Sequence, residues 1–183
     1  MKRLRFARDG YILMSAAFYA AAVLYMLLPE IPPKLLCITS GVFLLLYGVI
    51  KVVGFFAKDL YCLAFQYDLA EGVALMLLGA AVLAFGTRSV PYLTVGLGWL
   101  ALLEGLLKVQ MSRDAKGFGL ETWKRILTAG LVTAVLSAAL IFCAASHAPG
   151  QRLLAGLTML SLGIMDQCVV HDTVKLKKQG GEA

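Results

Sequence analysis

Six long apolar stretches constrain the fold of this sequence more than any other feature. They run approximately over Tyr11–Leu28, Leu35–Ala57, Leu69–Phe85, Tyr92–Met111, Ile126–Ala145 and Leu153–Val170. A helix needs about 20 mostly apolar residues to cross the hydrocarbon core of a bilayer. The chain has 60% hydrophobic and 15% charged residues and a mean hydropathy of +0.81. Soluble domains have roughly 45–50% apolar and about 25% charged residues. We therefore predict an all-α integral membrane protein that forms a single domain over residues 1–183.

The connections between these stretches predict how the chain is oriented. Three are short turns that contain proline, at 29–33, 86–91 and 146–150, and the other two, at 58–68 and 112–125, are longer and more polar. Fourteen of the 17 Lys and Arg residues lie in the N-terminus, the tail, and the long connections with their adjoining helix ends. Positively charged loops stay in the cytoplasm, so both termini are predicted to be cytoplasmic. A cleaved signal peptide is the alternative for the first stretch, but that stretch is long for a signal sequence and is needed to complete the first hairpin.

An internal repeat is visible in the second, fourth and sixth stretches. Each has two glycines seven residues apart and a charged residue three positions later: Gly41, Gly48 and Lys51; Gly98, Gly105 and Lys108; Gly156, Gly163 and Asp166. The second glycine recurs at offsets of 57 and 58 residues. Such regularity predicts three tandem two-helix hairpins, at approximately 10–58, 67–114 and 123–172.

The repeat has consequences for packing. Each hairpin begins and ends in the cytoplasm, so the three copies share one orientation and are expected to show pseudo-threefold symmetry about the membrane normal. Small residues on one helix face allow backbones to approach closely within lipid. We therefore expect the six glycines to bring the second, fourth and sixth helices into tight contact, with the odd-numbered helices more peripheral.

The same repeat resembles the HdeD family of small bacterial membrane proteins. The resemblance is carried by the segments Leu45–Ile50 and Leu102–Leu107, each preceded by a proline turn, and it covers roughly Tyr11 to Val170. It implies a bacterial plasma membrane protein related to stress or acid resistance, without a catalytic or ligand-binding set. This sequence departs from the family pattern by placing Lys51, Glu104 and Lys108 where apolar residues are more usual.

Five ionisable residues inside the stretches are the candidate functional residues: Lys51, Glu71, Glu104, Lys108 and Asp166. A charge at the centre of a membrane helix costs about 2.5–3.5 kcal/mol on the insertion scale, so these side chains are predicted to face inward as a cluster. Glu104 and Lys108 are spaced for a pair within one helix. Lys51 is placed to meet Glu71, and Asp166 to neutralise Lys51 or Lys108. For the lysines the alternative is that they extend to the headgroups, whereas the shorter carboxylates are candidate proton-responsive groups.

Other classes of site have little support in the sequence. Cys37, Cys62, Cys143 and Cys168 form no C-x-x-C pair, and His147 and His171 have no partner at metal-ligand spacing, so no metal site is predicted. No P-loop, nucleophile elbow or H-E-x-x-H motif is present, which predicts neither an enzyme nor a cofactor. The net charge of +6 is not gathered on one soluble face, which argues against a nucleic-acid partner, whereas the basic loops favour anionic lipids.

Two functions remain as the main interpretations. The first is a non-enzymatic stress or envelope protein that acts by its presence in the membrane or through a protein partner, or as a homo-oligomer. The second is a small proton- or ion-linked transporter or channel. A lipid-modifying or redox enzyme with unrecognised residues is a third. The outer halves of the stretches contain hydroxyl side chains but no charge, so a polar vestibule open at one end is expected rather than a continuous pathway.

Overall fold

The computed structural model is helical along nearly all of the residues that it describes, which are 2–28, 31–56, 67–119, 121–145 and 150–173. Its α-helices are α1 (Lys2–Leu27), α2 (Pro33–Phe55), α3 (Asp68–Phe85), α4 (Val90–Gly117), α5 (Trp123–Ala145) and α6 (Gln151–Thr173). A short 3-10 helix, Gly86–Ser89, connects α3 to α4. The predicted all-α fold is confirmed.

Five continuous helical stretches are long and apolar enough to cross a membrane: Arg8–Leu27, Pro33–Phe55, Asp68–Gly117, Trp123–Ala144 and Gln151–His171. The third contains 50 residues and includes both α3 and α4. Large apolar side chains point outward from the helices, among them Leu13, Leu77 and Phe142 at 67%, 67% and 77% exposure. An apolar exterior of this extent is stable in lipid and not in water, so the fold is that of a membrane-type protein.

Proline and glycine define the helix boundaries at one end of the bundle. Pro33 occupies the first turn of α2 and Pro91 that of α4, where a missing backbone N–H costs nothing. Gly86 has a φ of 55° directly after α3, a conformation that an L side chain rarely adopts. We call this end of the bundle the turn end.

The helices pack tightly in three antiparallel pairs, α2 with α3, α4 with α5, and α6 with α1. A Cβ atom added to Gly48 would lie 2.6 Å from the carbonyl oxygen of Gly72, and one added to Gly105 would lie 2.8 Å from that of Gly130. At Gly163 the nearest backbone atom is the carbonyl oxygen of Ser15, at 3.1 Å. Each even-numbered helix therefore packs on the odd-numbered helix that follows it, and the last closes onto the first.

The expectation that the glycines join the even-numbered helices to one another is wrong. All six glycines contact odd-numbered helices, because those helices also carry small residues seven positions apart: Ser15 and Ala22, Gly72 and Gly79, Gly130 and Ser137. Two facing stripes of small residues allow the closest backbone approach and the largest van der Waals gain. The odd-numbered helices are therefore partners in the tight contacts rather than peripheral elements.

The interior of the bundle contains aromatic side chains near the middle of α1 and α2. Phe18 packs edge-on against Phe43 and Tyr47, with ring centroids 4.8 and 5.3 Å apart. Tyr11 and Tyr47 are each 2% exposed. The rings of Tyr11 and Tyr47 lie beside the buried amine of Lys51, whose Nζ is 5.6 and 4.8 Å from their centroids.

Candidate functional site: a buried ionisable cluster

Eight polar side chains from five helices meet inside the bundle, and we call them the ionisable cluster: Tyr11, Tyr47, Lys51, Asp68, Glu71, Glu104, Lys108 and Asp166. They lie away from the turn end, near the C-termini of α2 and α6 and the N-terminus of α3. Lys51 and Asp68 are 0% exposed, Asp166 1%, Lys108 3% and Glu104 6%. Charges buried to this degree are stable only when they are paired and hydrogen-bonded.

Lys51 is the hub of the cluster. Its Nζ donates to the Glu71 carboxylate at 2.7 Å and to Glu104, and it lies 3.8 Å from Oδ1 of Asp68. It also lies over the ring of Tyr47, 4.8 Å from the centroid, which adds a cation–π attraction. The ammonium group therefore lies among its partners in the interior rather than at the headgroups, and it ties α2 to α3 and α4.

The hydroxyl of Tyr47 lies between two carboxyl groups. Its oxygen is 2.9 Å from Oε1 of Glu104 and 2.5 Å from Oδ2 of Asp166. A tyrosine hydroxyl carries one proton, so it donates to only one of these oxygens. The second contact is a hydrogen bond only when the other carboxyl carries a proton of its own. This triad is therefore built to hold an exchangeable proton.

The charge balance of the cluster points the same way. Within the described part of the chain, four carboxyl groups face two lysines, a formal excess of two negative charges when all six groups are ionised. Among the described residues, Oε1 of Glu71 and Oδ1 of Asp166 are buried without a hydrogen-bond donor. Because uncompensated buried charge is costly, these described groups are stable together only when protons or further cations balance their excess.

The cluster contains all five of the ionisable residues that the sequence analysis singled out, and some of their partners differ from expectation. Lys51 meets Glu71 as predicted. The expected pair of Glu104 with Lys108 is absent from the described residues, since Glu104 binds Lys51 and Lys108 lies 4.0 Å from Oδ1 of Asp68. A pair within one helix contributes only about 0.2–0.5 kcal/mol, so contacts between helices prevail. Asp166 accepts from Tyr47 and is not within ion-pair distance of either lysine.

Sequence reasoning missed three members of the cluster, Tyr11, Asp68 and Tyr47. The hydroxyl of Tyr11 donates to Asp68, which begins α3 and which the sequence analysis assigned to a connection. The repeat contains the signal that would have found them, because Tyr11 and Asp68 are 57 residues apart and so are Tyr47 and Glu104. Equivalent positions of neighbouring repeats thus contact each other.

A cavity of about 1230 Å³ approaches the cluster from the turn end. Its lining includes the exposed residues Leu35, Phe85 and Tyr92, so it is open to the outside, and it ends at Tyr47 and Glu104. Its walls are mostly apolar. It differs in this from the one-ended polar vestibule that the sequence predicts.

The even-numbered helices line this cavity with equivalent positions of the three repeats. Tyr47, Glu104 and Leu162 form one such set, and Leu44, Ala101 and Met159 form another one turn away. The even-numbered helices are therefore separated by a cavity at these positions, and their glycines contact the odd-numbered helices instead.

The other candidate residues that the structure describes are placed as follows. Cys37 is buried and donates from Sγ to the carbonyl oxygen of Gly86 at 3.0 Å. Within the described ranges, no three His, Cys, Asp or Glu residues are placed to hold a metal ion. Cys62, His147, the connection 58–66 and the basic tail from 174 onward lie outside the described residues.

Two overlapping segments of the chain match the model of a known family. Residues 13–83 and 70–142 each match the model of a family described as "Short repeat of unknown function (DUF308)". The second match begins 57 residues after the first, which agrees with the offset of the glycine pattern, and the internal repeat is thereby confirmed. No curated protein and no solved structure matches the chain.

Proposed function

This chain belongs to the family of the short repeat DUF308, and we propose that it is a non-enzymatic multipass protein of the bacterial plasma membrane that responds to protons. The observation that carries the proposal is the Tyr47 hydroxyl held between Glu104 and Asp166 in a cluster with more carboxyls than amines. The resemblance to the HdeD family adds the physiological setting, which is acid or envelope stress.

The proposed topology has six crossings as three tandem hairpins, with pseudo-threefold symmetry about the membrane normal and both termini in the cytoplasm. Three observations support it. The 50-residue stretch contains two helices separated by the turn at Gly86. Neighbouring helix pairs join through α5 with α6 and through α1 with α2, with a gap between α3 and α4, and equivalent residues of the repeats face one cavity. The distribution of basic residues supports the orientation.

Protonation would act on the ion pairs of Lys51. This lysine joins α2 to Glu71 on α3 and to Glu104 on α4. Protons beyond those that balance the excess carboxylates neutralise Glu71 or Glu104, and each such proton removes one ion pair of this lysine. Acidification therefore loosens the contact between these helices at the cytoplasmic side, and the resulting change of shape is the proposed signal.

The test compares the stability of the protein in nanodiscs as the pH falls from 8 to about 4, a range that extends to the ordinary pKa of aspartate and glutamate side chains. Wild-type protein is expected to lose thermal stability across this range, and Glu104→Gln to lose most of that dependence. Glu121→Gln is the matched control, because Glu121 is exposed and outside the cluster. Equal pH dependence in all three proteins would overturn the proposal, and a parallel acid-survival assay connects it to the cell.

A proton-linked transporter is the second candidate function, and the cavity is the observation that favours it. The cavity gives a ligand access from the turn end to Tyr47 and Glu104, so a proton and a ligand share one site. A flux assay in proteoliposomes across a pH gradient, with Glu104→Gln and Lys108→Met alongside, separates the two candidates. Absence of flux under every gradient supports the stress protein.

The partners that we propose are the lipid bilayer itself and anionic lipids at the cytoplasmic loops. Each Lys or Arg near an anionic surface contributes about 1 kcal/mol of attraction. A homo-oligomer or a protein partner at these loops is compatible with the stress function and is testable by crosslinking in native membranes.

A further inference from the structure

We propose that the cavity binds a lipophilic cation, an elongated apolar molecule with a protonated amine at one end. The amine would lie at Tyr47 and Glu104, and the apolar body would lie along the cavity toward the turn end. The proposal deepens the transport function by naming its substrate class and rests on the same cavity.

The shape and walls of the cavity select an elongated apolar body. The cavity extends along α4 from Val90 to Glu104, which at 1.5 Å per residue is about 21 Å. Its volume of about 1230 Å³ exceeds the roughly 300–1000 Å³ of pockets for drug-sized ligands. Most side chains along its length are aliphatic or aromatic, including Phe18 and Phe43, and the cation Arg88 lies at the opposite end from Glu104, at the turn end. An apolar body of this length gains hydrophobic and dispersion energy there without needing polar partners.

The inner end of the cavity selects a positive charge. Glu104 is the one carboxylate among the described residues that line the cavity, and its side chain stays 8% exposed although Lys51 binds its Oε1. It belongs to a cluster in which the described residues supply four carboxyls and two amines. A hydrocarbon terminus placed against these groups would leave the negative excess uncompensated, whereas an ammonium group supplies both charge and hydrogen-bond donors. The Tyr47 hydroxyl oxygen can accept a hydrogen bond from the ammonium group, and the nearby aromatic rings attract it by cation–π interaction. Charge complementarity therefore favours an amine over a fatty acid or a neutral lipid.

The helix packing provides a side entrance from the bilayer. Along their described lengths α3 and α4 make almost no direct contact beyond the 3-10 connection, although both α1 with α2 and α5 with α6 pack together. Gly96 of α4 faces this gap, and a Cβ added there would meet only Leu78 of α3, at 4.0 Å. A membrane-dissolved amine can therefore enter between α3 and α4 without passing through water.

The test uses Trp99, which lines the cavity, as a fluorescent reporter in a Trp123→Phe background. Dodecylamine carrying bromine on its chain is added to the protein in nanodiscs at fixed pH. We expect saturable quenching of Trp99 that unlabelled dodecylamine reverses and that brominated dodecanol does not reproduce. Glu104→Gln should weaken amine binding about 10- to 100-fold, the range for a hydrogen bond to a charged group.

A second variant keeps the proposal falsifiable if Glu104→Gln fails to fold. Gly96→Leu places a side chain in open space within the cavity and should abolish saturable quenching while the protein remains folded. Gly117→Leu is the matched control, because Gly117 lies in the same helix with nothing within 4 Å of an added Cβ and lies outside the cavity. Equal quenching by amine and alcohol, or unchanged binding in Gly96→Leu, would overturn the proposal. Since binding is measured without a gradient, its failure is distinguishable from a failure of transport.

Discussion

Replacing Lys51 by methionine should destabilise the bundle severely, because this lysine compensates carboxylates on two other helices. Its Nζ donates to Glu71 at 2.7 Å and to Glu104, and its side chain is 0% exposed. A hydrogen bond to a charged group contributes about 1.5–3 kcal/mol, so two give roughly 3–6 kcal/mol. Breaking one buried pair by removing a partner costs about 3–5 kcal/mol, which is the same range. We therefore expect Lys51→Met to lower the free energy of unfolding by about 3–5 kcal/mol.

The assay is reversible unfolding in mixed micelles, in which the free energy of unfolding is extrapolated to zero denaturing detergent. Lys34→Met is the matched control in the same helix, because Lys34 is exposed at the turn end, and it should change stability by less than about 0.5 kcal/mol. The double variant Lys51→Met with Glu104→Gln should be more stable than Lys51→Met alone, because the single variant leaves the Glu104 carboxylate unpaired and the glutamine side chain carries no charge. A loss below about 1 kcal/mol for Lys51→Met would refute the assignment of Lys51 as the hub of the cluster.

Three further changes test other parts of the structure. Gly48→Val should destabilise the protein by about 1–3 kcal/mol or more, because its Cβ would lie 2.6 Å from the carbonyl oxygen of Gly72; full retention of stability in the same unfolding assay would contradict the proposed close contact. Tyr47→Phe should cost about 1.5–3 kcal/mol, because it removes the hydroxyl that bridges two buried carboxyls; an unchanged unfolding free energy would show that the hydroxyl is dispensable. In a cysteine-free background, Arg88→Cys should react with an impermeant thiol reagent from outside the cell and Lys116→Cys only after permeabilisation, and labelling of both from one side would contradict six crossings.

The helices were predictable because membrane crossing requires long apolar segments, and a repeat of glycines identifies which of these segments are equivalent. The boundaries were less predictable: α4 continues to Gly117, six residues beyond the predicted Met111. An apolar segment ends where polar residues begin, but the helix that contains it can continue beyond that point as long as its backbone hydrogen bonds are made. The pairing of helices was predicted incorrectly, because a glycine stripe shows that a face packs closely without showing which face it meets. On α1 the matching stripe consists of Ser15 and Ala22 rather than two glycines, so a search for repeated glycines does not find it.

The cluster was predictable in composition and not in connectivity. Charged residues in apolar segments must face inward, and that rule found Lys51, Glu104 and Asp166. It does not apply to Asp68, which stands at the first position of α3 and has the sequence context of a loop. Nor does it identify tyrosines, which are common in membrane proteins for reasons unrelated to buried charge. The cavity was invisible in the sequence, since its lining consists of the same apolar residue types that face lipid.

The divergence of the third repeat explains why the cluster exists at all. Tyr11 and Asp68 are equivalent to Ile126 in the third repeat, and Tyr47 and Glu104 are equivalent to Leu162. Both third-repeat residues are buried and apolar. Three identical polar repeats would place three like charges at one depth inside the bundle, where the low dielectric makes their repulsion large. At each of these two sets of positions, two polar residues and one apolar residue instead allow carboxyl and hydroxyl groups to pair across the interior. Asp166 of the third repeat supplies a carboxylate where the other repeats have lysine. The small residues that the repeats share therefore maintain the packing of the helix pairs, and the residues that differ between the repeats create the ionisable cluster.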